Sequence, residues 1–301
     1  MLLANSIGVL HGQVVPAREA GRHFDHIVIV LLENQGLHQA LSDPYIVSLT
    51  KREAWFSNYH GVAHPSYPNY LALVSGSMFG FQSDSQPPPL PGPTVVDRLE
   101  AQHLTWKSYA ENYPGKCFIG SSAGGGYFTS LMHGLYSHLY TRKHVPLLSF
   151  ASIQLNPSRC AHVVDANEFI RDVRSGSLPN YSFYTPNMRH DGHDTSLGAA
   201  SAWLKGFLNQ LRNEPILHQR TLIVVTWDEG EGQDARDNRV LTVLLGDAVV
   251  PGEYGARLTH YSLLRTIEDN FGLGSVGAGD RSASPFPATL WRSTAAVAPA
   301  T

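Results

Sequence analysis

Strand-like apolar runs and helix-like amphipathic stretches alternate along the chain, which is the pattern of an α/β fold. Three runs are apolar at nearly every position, as buried strands are. HIVIVLLEN at 26–34 is typical of a buried parallel strand that ends in polar residues, and TLIVVTWDEGEG at 221–232 and NRVLTVLLGD at 238–247 are a second and a third hydrophobic strand. Shorter strands are predicted at 104–111 and 182–187. The sequence therefore predicts an α/β fold with a mostly parallel central sheet and helices on both faces.

Helices are predicted between these strands. Residues 194–213 have the clearest amphipathic pattern, and Asp194 is the expected N-cap of that helix. Another helix follows the segment HPSYPNY and is expected to stop at Gly76, because glycine readily ends helices. Two more are predicted near 94–103 and at 260–273.

One segment departs from this alternation. Residues from about 112 to 165 are rich in glycine, aromatic residues and histidine, and their periodicity is weak, so we interpret them as an insertion that caps a site. The whole chain, 1–301, is expected to form one domain. Its core is predicted at about 24–111 and 180–275, with a peripheral tail at about 276–301.

The composition is that of a folded, slightly acidic protein. Hydrophobic residues make up 43% of the 301, which is enough for a large core and excludes global disorder. Lys and Arg number 22 against 25 Asp and Glu, a net charge of −3, so a mainly electrostatic nucleic-acid binder is disfavoured. No apolar run approaches the ~18 residues of a transmembrane helix, and no membrane insertion is predicted.

Two predicted strands end in residues that carry oxygen ligands. Glu33 and Asn34 follow the first long strand, and Asp228 and Glu229 follow the run LIVVTW. The carboxyl ends of parallel strands form one edge of the sheet, where sites of open α/β folds lie. Oxygen donors there suit a hard divalent cation, and zinc tolerates them. The alternative is that these acids cap helices or lie in solvated loops.

Between these pairs, the segment HPSYPNY at 64–70 holds one serine, Ser66, between two prolines. Such a loop can fix a hydroxyl rigidly at the start of a helix. The unpaired N–H groups of a helix N-terminus favour an anion such as phosphate. The alternative is that Ser66 is simply the N-cap of that helix.

Histidines and acids form a third cluster, NMRHDGHD at 187–194. His190, Asp191 and His193 lie within five positions around a glycine, a density that suits a metal or a phosphate-binding site. The alternative is a polar loop before the next helix. Two more candidates are single histidines: His260 begins a predicted helix, and His144 follows two basic residues in TRKHVP.

Several common signatures are absent from the sequence. There is no G-x-x-x-x-G-K-[ST], no G-x-G-x-x-G after a strand and no H-E-x-x-H, so ATP, dinucleotide and zincin functions lose support. The segment GSSAG at 120–124 fits the pattern G-x-S-x-G, but it lies in the weakly periodic segment and not at the turn from a strand to a helix that a nucleophile elbow requires, which disfavours a typical α/β-hydrolase.

The order of the motifs identifies a resemblance. Between about residues 24 and 273 the chain contains six motifs in this order: HIVIVLLEN, HPSYPNYLALVSG, RKHVP, PNMRHDGHD, VVTWDEGEG and THYSLLRTIEDNFGL. Together they resemble the bacterial phosphoesterase family that contains acid phosphatases and phosphatidylcholine-type phospholipases C, within the alkaline-phosphatase-like superfamily. Each motif alone is weak, but six in this order are specific.

The resemblance implies roles for the candidate residues. Ser66 corresponds to a metal-bound nucleophile. His144 corresponds to a histidine near the phosphate, and His260 to a histidine ahead of the family's S-L-L-R-T-I-E helix. His190, Asp191 and His193 correspond to a stretch that contacts phosphate or a second metal. The implied metal ligands are Glu33, Asn34, Ser66, Asp228, Glu229 and Asp191. Because the second acidic pair is Asp-Glu where distant superfamily members have Asp-His, one divalent ion (Zn, Ca, Mg or Mn) is expected rather than two.

The implied function is metal-dependent hydrolysis of a small-molecule phosphate ester through a phosphoseryl intermediate, with His190, His193 or His260 protonating the leaving group. A phosphomonoesterase is favoured, because the chain has no long C-terminal extension of the kind found in the phospholipase C relatives. The alternatives are a phosphodiesterase or phospholipase C, a non-catalytic phosphate- or metal-binding protein, and, more remotely, a metal-free serine esterase.

The two cysteines, Cys117 and Cys160, cannot form a structural zinc site by themselves, and the residues alone leave a disulfide and two buried thiols open. The resemblance to exported relatives implies a bridge. We therefore expect a periplasmic or secreted protein whose signal peptide is absent from this sequence, with a cytoplasmic location as the alternative.

Overall fold

A nine-stranded sheet forms the centre of the part of the chain that the computed structural model describes, residues 22–86, 88–124 and 138–293. The strands are β1 (His26–Leu32), β2 (Ala54–His60), β3 (Trp106–Ala110), β4 (Ser122–Ala123), β5 (Tyr140–Thr141), β6 (Val163–Asp165), β7 (Tyr181–Thr185), β8 (Thr221–Trp227), β9 (Arg239–Leu245), β10 (Gly252–Tyr254) and β11 (Leu258–Thr259). Strands β4 and β5 form a separate two-stranded sheet.

The order in the main sheet is β10-β2-β9-β8-β1-β7-β3-β6, and β11 also pairs with β2. Strand β9 is antiparallel to both of its neighbours, and the other pairs are parallel. All seven residues of β8 and six of the seven in β1 are buried, as expected for strands covered on both faces. The predicted mostly parallel α/β sheet is therefore confirmed.

The helices are α1 (Leu37–Ala40), α2 (Pro44–Thr50), α3 (Ser66–Ser75), α4 (Val95–Ala101), α5 (Ala151–Gln154), α6 (Pro157–Cys160), α7 (Asn167–Ser175), α8 (Leu197–Leu211), α9 (His260–Phe271) and α10 (Gly279–Ser282). Helix α3 packs against α9 and α4, and α2 packs against α8. None of the helices in the described ranges is both long and apolar enough to cross a membrane.

Helix ends follow local chemistry. Helix α3 stops at Gly76, as predicted, and this glycine has the left-handed φ of 64° that favours its residue type. The N-cap prediction at the start of α8 was wrong. The cap is Ser196, whose side chain accepts from the Ala199 N–H, because the Asp194 carboxylate contacts His193 instead.

Two predicted boundaries differ from the structure. Strand β6 lies at the end of the predicted 112–165 insertion, yet it pairs with β3 in the main sheet. Part of that insertion, 125–137, lies outside the described residues. The expected peripheral tail contributes buried side chains, including Asp280, Phe286 and Leu290. The division into one domain with a core, a cap and a tail stays a prediction.

Cys117 and Cys160 form a disulfide with their Cα atoms 5.6 Å apart, as the resemblance implied. The bridge joins the loop after β3 to the end of α6. Both cysteines lie within the predicted insertion at 112–165, so the bridge links two parts of that segment. Export of the protein stays a prediction.

A buried carboxyl pair makes stability depend on pH. Burial, and the neighbouring Asp280, raise the pKa of Glu268 to about 8, although the Val276 N–H and then Arg265 act in the opposite direction. The folded chain therefore binds a proton that the unfolded chain has lost once the pH exceeds the ordinary pKa of glutamate, about 4.3. Stability contributed by this proton is complete at low pH and is lost as the pH rises to about 8.

We therefore expect Glu268→Gln to raise the melting temperature at pH 8 and to change it little at pH 4. Each kcal/mol gained should appear as a shift of about 2–4 °C. Thermal unfolding at several pH values measures the effect, with Asp269→Asn, an exposed acid on the same helix, as control. An equal shift of Glu268→Gln at all pH values would contradict the argument.

Candidate active site

The ends of β1 and β8 bring the two predicted acidic pairs together. The strands are parallel and in register, with His26 opposite Thr221 and Leu32 opposite Trp227, so the residues that follow them leave the sheet side by side. The Asn34 N–H donates to Asp228 Oδ1 at 3.0 Å. Asn34 has a φ of 53°, a left-handed conformation that asparagine tolerates better than most residues, and it turns the chain at the sheet edge.

Ser66 is the first residue of α3 and is almost fully buried at this edge. Its Oγ lies 3.1 Å from Glu33 Oε2, 3.2 Å from Asn34 Oδ1 and 3.0 Å from Glu229 Oε1. We call these four residues the oxygen cluster. The N-cap of α3 is Pro65, so the alternative in which Ser66 only caps the helix does not describe its position.

One side of the Glu33 carboxylate is held in place by an aromatic residue. Tyr70, four residues after Ser66 on α3, donates its phenol to Glu33 Oε1. His144 Nε2 lies 3.0 Å from the same oxygen, and the His144 ring stacks on Tyr70 with centroids 5.1 Å apart. Because Oε1 is engaged, Oε2 is the oxygen that faces Ser66.

The predicted residue Asp191 lies beside this cluster. Its backbone carbonyl accepts from the Glu33 N–H at 2.9 Å, and its Oδ1 accepts from the His193 N–H at 3.0 Å. Asp191 and Asp228 are both fully buried. Within the described residues, the second carboxylate oxygen of each, Oδ2, has no hydrogen-bond partner.

The carboxyl groups of the site have pKa values shifted from the ordinary range. Glu33 keeps a pKa of about 2, because contacts with His144, Lys143 and Tyr70 outweigh the burial that would raise it. Burial and the negative charge of Glu33 raise the pKa of both Asp191 and Asp228 well above the ordinary range. Concentrated buried carboxylates of this kind favour a bound cation.

The donor set fits an oxygen-liganded divalent ion. Ser66 has one hydroxyl proton, whereas three acceptor oxygens surround its Oγ within 3.2 Å. At most one of these contacts can therefore be a strong hydrogen bond, and a cation would satisfy the remaining oxygens. In the described part of the chain, no group of three or more His, Cys, Asp or Glu side chains forms a ready metal site. Two of the four residues of the oxygen cluster, Asn34 and Ser66, supply an amide and a hydroxyl oxygen. These residue types are not among His, Cys, Asp and Glu.

The predicted histidines take different places. His144 lies in the site, in contact with Glu33. His260 is fully buried, with Nε2 2.5 Å from the Asp228 carbonyl and Nδ1 3.2 Å from the Tyr59 hydroxyl. Burial lowers the pKa of His260 to about 4, and its two engaged nitrogens leave none for a substrate. It is placed to position Asp228.

The side-chain contacts of His190 and His193 lie outside the oxygen cluster, and both side chains are partly exposed. His190 Nδ1 lies 2.5 Å from Glu111 Oε2, and its ring stacks on Trp203. His193 Nδ1 lies 2.6 Å from Asp194 Oδ1.

The sequence argument missed two residues that contact the oxygen cluster. His64 Nδ1 contacts Glu229 Oε2, and its Nε2 lies 2.9 Å from the Ala235 carbonyl. Tyr70 contacts Glu33, as described above. The spacing of four residues between Ser66 and Tyr70 on one helix could have found the latter, since such residues lie on the same helix face.

Solved structures that superpose on this chain define the class of fold. A protein of the alkaline phosphatase superfamily from Vibrio parahaemolyticus superposes with a TM-score of 0.56 at 12% identity, over 83% of this chain and 67% of that one. The phosphonate monoester hydrolase of Agrobacterium radiobacter gives 0.56 at 12% identity, over 88% and 77%. The chain has the fold of the alkaline phosphatase superfamily.

Sequence relatives narrow this class. The model of the Phosphoesterase family matches residues 36–274. The chain is 34% identical over 272 residues to a probable acid phosphatase of Kluyveromyces lactis, covering 88% of the chain and 62% of that protein. It is 33% identical over 282 residues to a phosphatidylinositol-3-phosphatase of Mycobacterium tuberculosis, covering 92% and 86%. The chain belongs to the Phosphoesterase family.

The family prediction is thereby confirmed, but its restriction to bacteria is not supported. A further relative, an acid phosphatase of Aspergillus fumigatus, is fungal like that of Kluyveromyces lactis, with 32% identity over 269 residues. The chain spans 62% and 58% of the length of these two fungal proteins.

Proposed function

We propose that the protein is a metal-dependent phosphomonoesterase with Ser66 as the nucleophile. The observation that carries the proposal is the position of Ser66 Oγ, at the start of a helix and within 3.2 Å of oxygens from three side chains. The names of the relatives support it, since they are acid phosphatases and a phosphatidylinositol-3-phosphatase. Those names favour monoesters over the diesters of the phospholipase C alternative.

The residues that would hold one divalent ion are Glu33, Asn34, Ser66, Asp228 and Glu229, with Asp191 beside them. The ion would supply positive charge that lowers the pKa of the serine hydroxyl and offsets charge on the phosphoryl oxygens. The chain itself fixes the donors. Tyr70 and His144 orient Glu33, His64 contacts Glu229, and His260 contacts the Asp228 backbone.

The reaction has two displacements. Ser66 Oγ bonds to phosphorus while the bond from phosphorus to the alcohol oxygen breaks, and the alcohol leaves with a proton. The hydroxyl proton of Ser66 passes to Glu229 Oε1, 3.0 Å away. Water then hydrolyses the phosphoserine, which releases phosphate and restores the hydroxyl. The positive end of the α3 dipole, at Ser66, favours the phosphoryl group electrostatically, whereas the Tyr67 N–H is used by Asp84 and Pro68 has none.

The proton donor to the leaving alcohol stays a prediction. Of the three histidines considered, His190 and His193 have partly exposed side chains, whereas both nitrogens of His260 are engaged.

The test is hydrolysis of p-nitrophenyl phosphate, bis-p-nitrophenyl phosphate and p-nitrophenylphosphorylcholine by metal-replete protein, with and without a chelator. We expect preference for the monoester, loss of turnover with the chelator and recovery with a divalent ion. Preference for a diester would instead indicate a phosphodiesterase or phospholipase C. Turnover that survives removal of metal would contradict the metal site, and no turnover of any substrate would favour a binding protein.

A further inference from the structure

A polar pocket opens beside the oxygen cluster, and the reaction proposed above gives it no role. Its volume is about 600 Å³. The walls come from α1, the start of α8 and the loops after β7 and β8, and include Gln35, Gln39, Ser42, His193, Thr195 and Glu231.

Two walls of the pocket are direct continuations of the site. Glu231 Oε1 accepts from Asn34 Nδ2 at 3.0 Å, and Asn34 Oδ1 lies 3.2 Å from Ser66 Oγ. Gln35 follows Asn34 in the chain, and its Nε2 donates at 3.1 Å to the carbonyl of Gly192, the residue after Asp191. Because these walls adjoin the residues around Ser66, the pocket is placed to receive the part of a substrate attached to the phosphoryl group.

One wall residue of the pocket, Gln35, carries a buried acceptor that lacks a donor. Gln35 is only 6% exposed, and within the described residues its Oε1 has no hydrogen-bond partner. A buried polar atom without a partner is costly, so a hydroxyl or N–H group of a ligand that reached it would be bound favourably.

The remaining lining defines the ligand chemistry. Hydroxyl, amide and carboxylate groups predominate, and they match a molecule with many hydroxyl groups. Asp43 and Glu231 are both acidic, so a second phosphate or carboxylate on the ligand would meet like charge.

We propose that this pocket binds the alcohol part of the substrate and selects neutral, polyhydroxylated leaving groups such as sugars and polyols. Gln35 and Gln39 are specificity-determining residues, and they act on the alcohol, not on the phosphoryl group. This inference rests on the proposed phosphomonoesterase function.

The test compares inositol monophosphate with cyclohexyl phosphate, which share a six-carbon ring and differ in their hydroxyl groups. The measured quantity is the ratio of their kcat/KM values. A variant that slows the chemical steps shared by both esters lowers both values, so this effect cancels in the ratio. The wild type should prefer inositol monophosphate. Losing one hydrogen bond should lower the ratio about three- to tenfold in Gln35→Met.

Gln39→Leu is the second variant, because Gln39 is exposed on α1 and its replacement cannot disturb the Gly192 contact. The ratio should fall in this variant too. Gln210→Leu, which changes an exposed glutamine outside this pocket on α8, should leave the ratio unchanged.

The outcomes separate the two proposals. Hydrolysis of both esters with a ratio near one in the wild type, or an unchanged ratio in both pocket variants, overturns the pocket inference and leaves the phosphomonoesterase standing. No turnover of these esters or of p-nitrophenyl phosphate overturns the phosphomonoesterase, and the pocket inference with it.

Discussion

Ser66→Ala should lower kcat for p-nitrophenyl phosphate by about a thousandfold or more, because the proposed nucleophile is removed. The fold should persist. Only one hydroxyl is lost, and the three oxygens around it outnumber the single proton it donates. We expect a melting temperature within a few degrees of the wild type, since one hydrogen bond contributes about 1 kcal/mol.

The matched control is Ser75→Ala, at the other end of the same helix. Ser75 is buried like Ser66, but its hydroxyl donates to the Leu71 carbonyl at 2.7 Å, within α3 itself. This variant should keep the wild-type kcat. Phosphate release and thermal unfolding are measured on both variants. Substantial turnover by folded Ser66→Ala would exclude Ser66 as the nucleophile.

A complementary measurement traps the intermediate. Brief reaction with labelled substrate at low pH, followed by denaturation, should leave label on a peptide containing Ser66 in the wild type. Ser66→Ala should carry none. Label found on a histidine in the wild type would indicate a phosphohistidine intermediate and would contradict the phosphoserine.

The convergence of the acidic pairs could be predicted from sequence because it depends on strand geometry alone. A continuous apolar run that ends in Glu33 and Asn34, and another that ends in Asp228 and Glu229, must deliver these residues to one edge if both runs are parallel. Their register, with Leu32 opposite Trp227, makes the delivery side by side.

Other elements could not be read in the same way. An apolar run has the same pattern in either direction, so nothing in NRVLTVLLGD shows that β9 is antiparallel. Strand β2, AWFSNYH, was not predicted, because its polar residues interrupt both the apolar run and a strict alternation. Pairing with β9 and β10, which are distant in sequence, stabilises β2 as a strand although its local pattern does not predict one.

Side-chain partners were the least predictable level. Asp194 and Ser196 are both good N-caps, and the contact of Asp194 with His193 decides between them. His260 was expected as a candidate proton donor to the leaving group, but the carbonyl of Asp228 and the hydroxyl of Tyr59 engage its ring. Both outcomes depend on tertiary contacts.

Under the proposed metal-dependent mechanism, Tyr70→Phe should weaken activation by the divalent ion. The phenol holds Glu33 Oε1, and this contact leaves Oε2 to face Ser66. Phenylalanine keeps the ring beside His144 but removes the hydroxyl, so Glu33 can turn away from its productive orientation. Loss of such a supporting contact costs about 10- to 100-fold in metal affinity or activity.

The measurement is activity against p-nitrophenyl phosphate as metal is added back to chelator-treated protein. In Tyr70→Phe the concentration for half-maximal activity should rise about 10- to 100-fold. Tyr67→Phe is the matched control. Tyr67 is buried on the same helix, but its hydroxyl donates to Ser149 Oγ at 2.6 Å, away from the carboxylates, so its activation curve should match the wild type. Equal curves for Tyr70→Phe and the wild type would show that the phenol does not position Glu33. A parallel shift in both variants would indicate that loss of a buried hydroxyl from α3 perturbs the helix as a whole, which again contradicts a specific role for Tyr70.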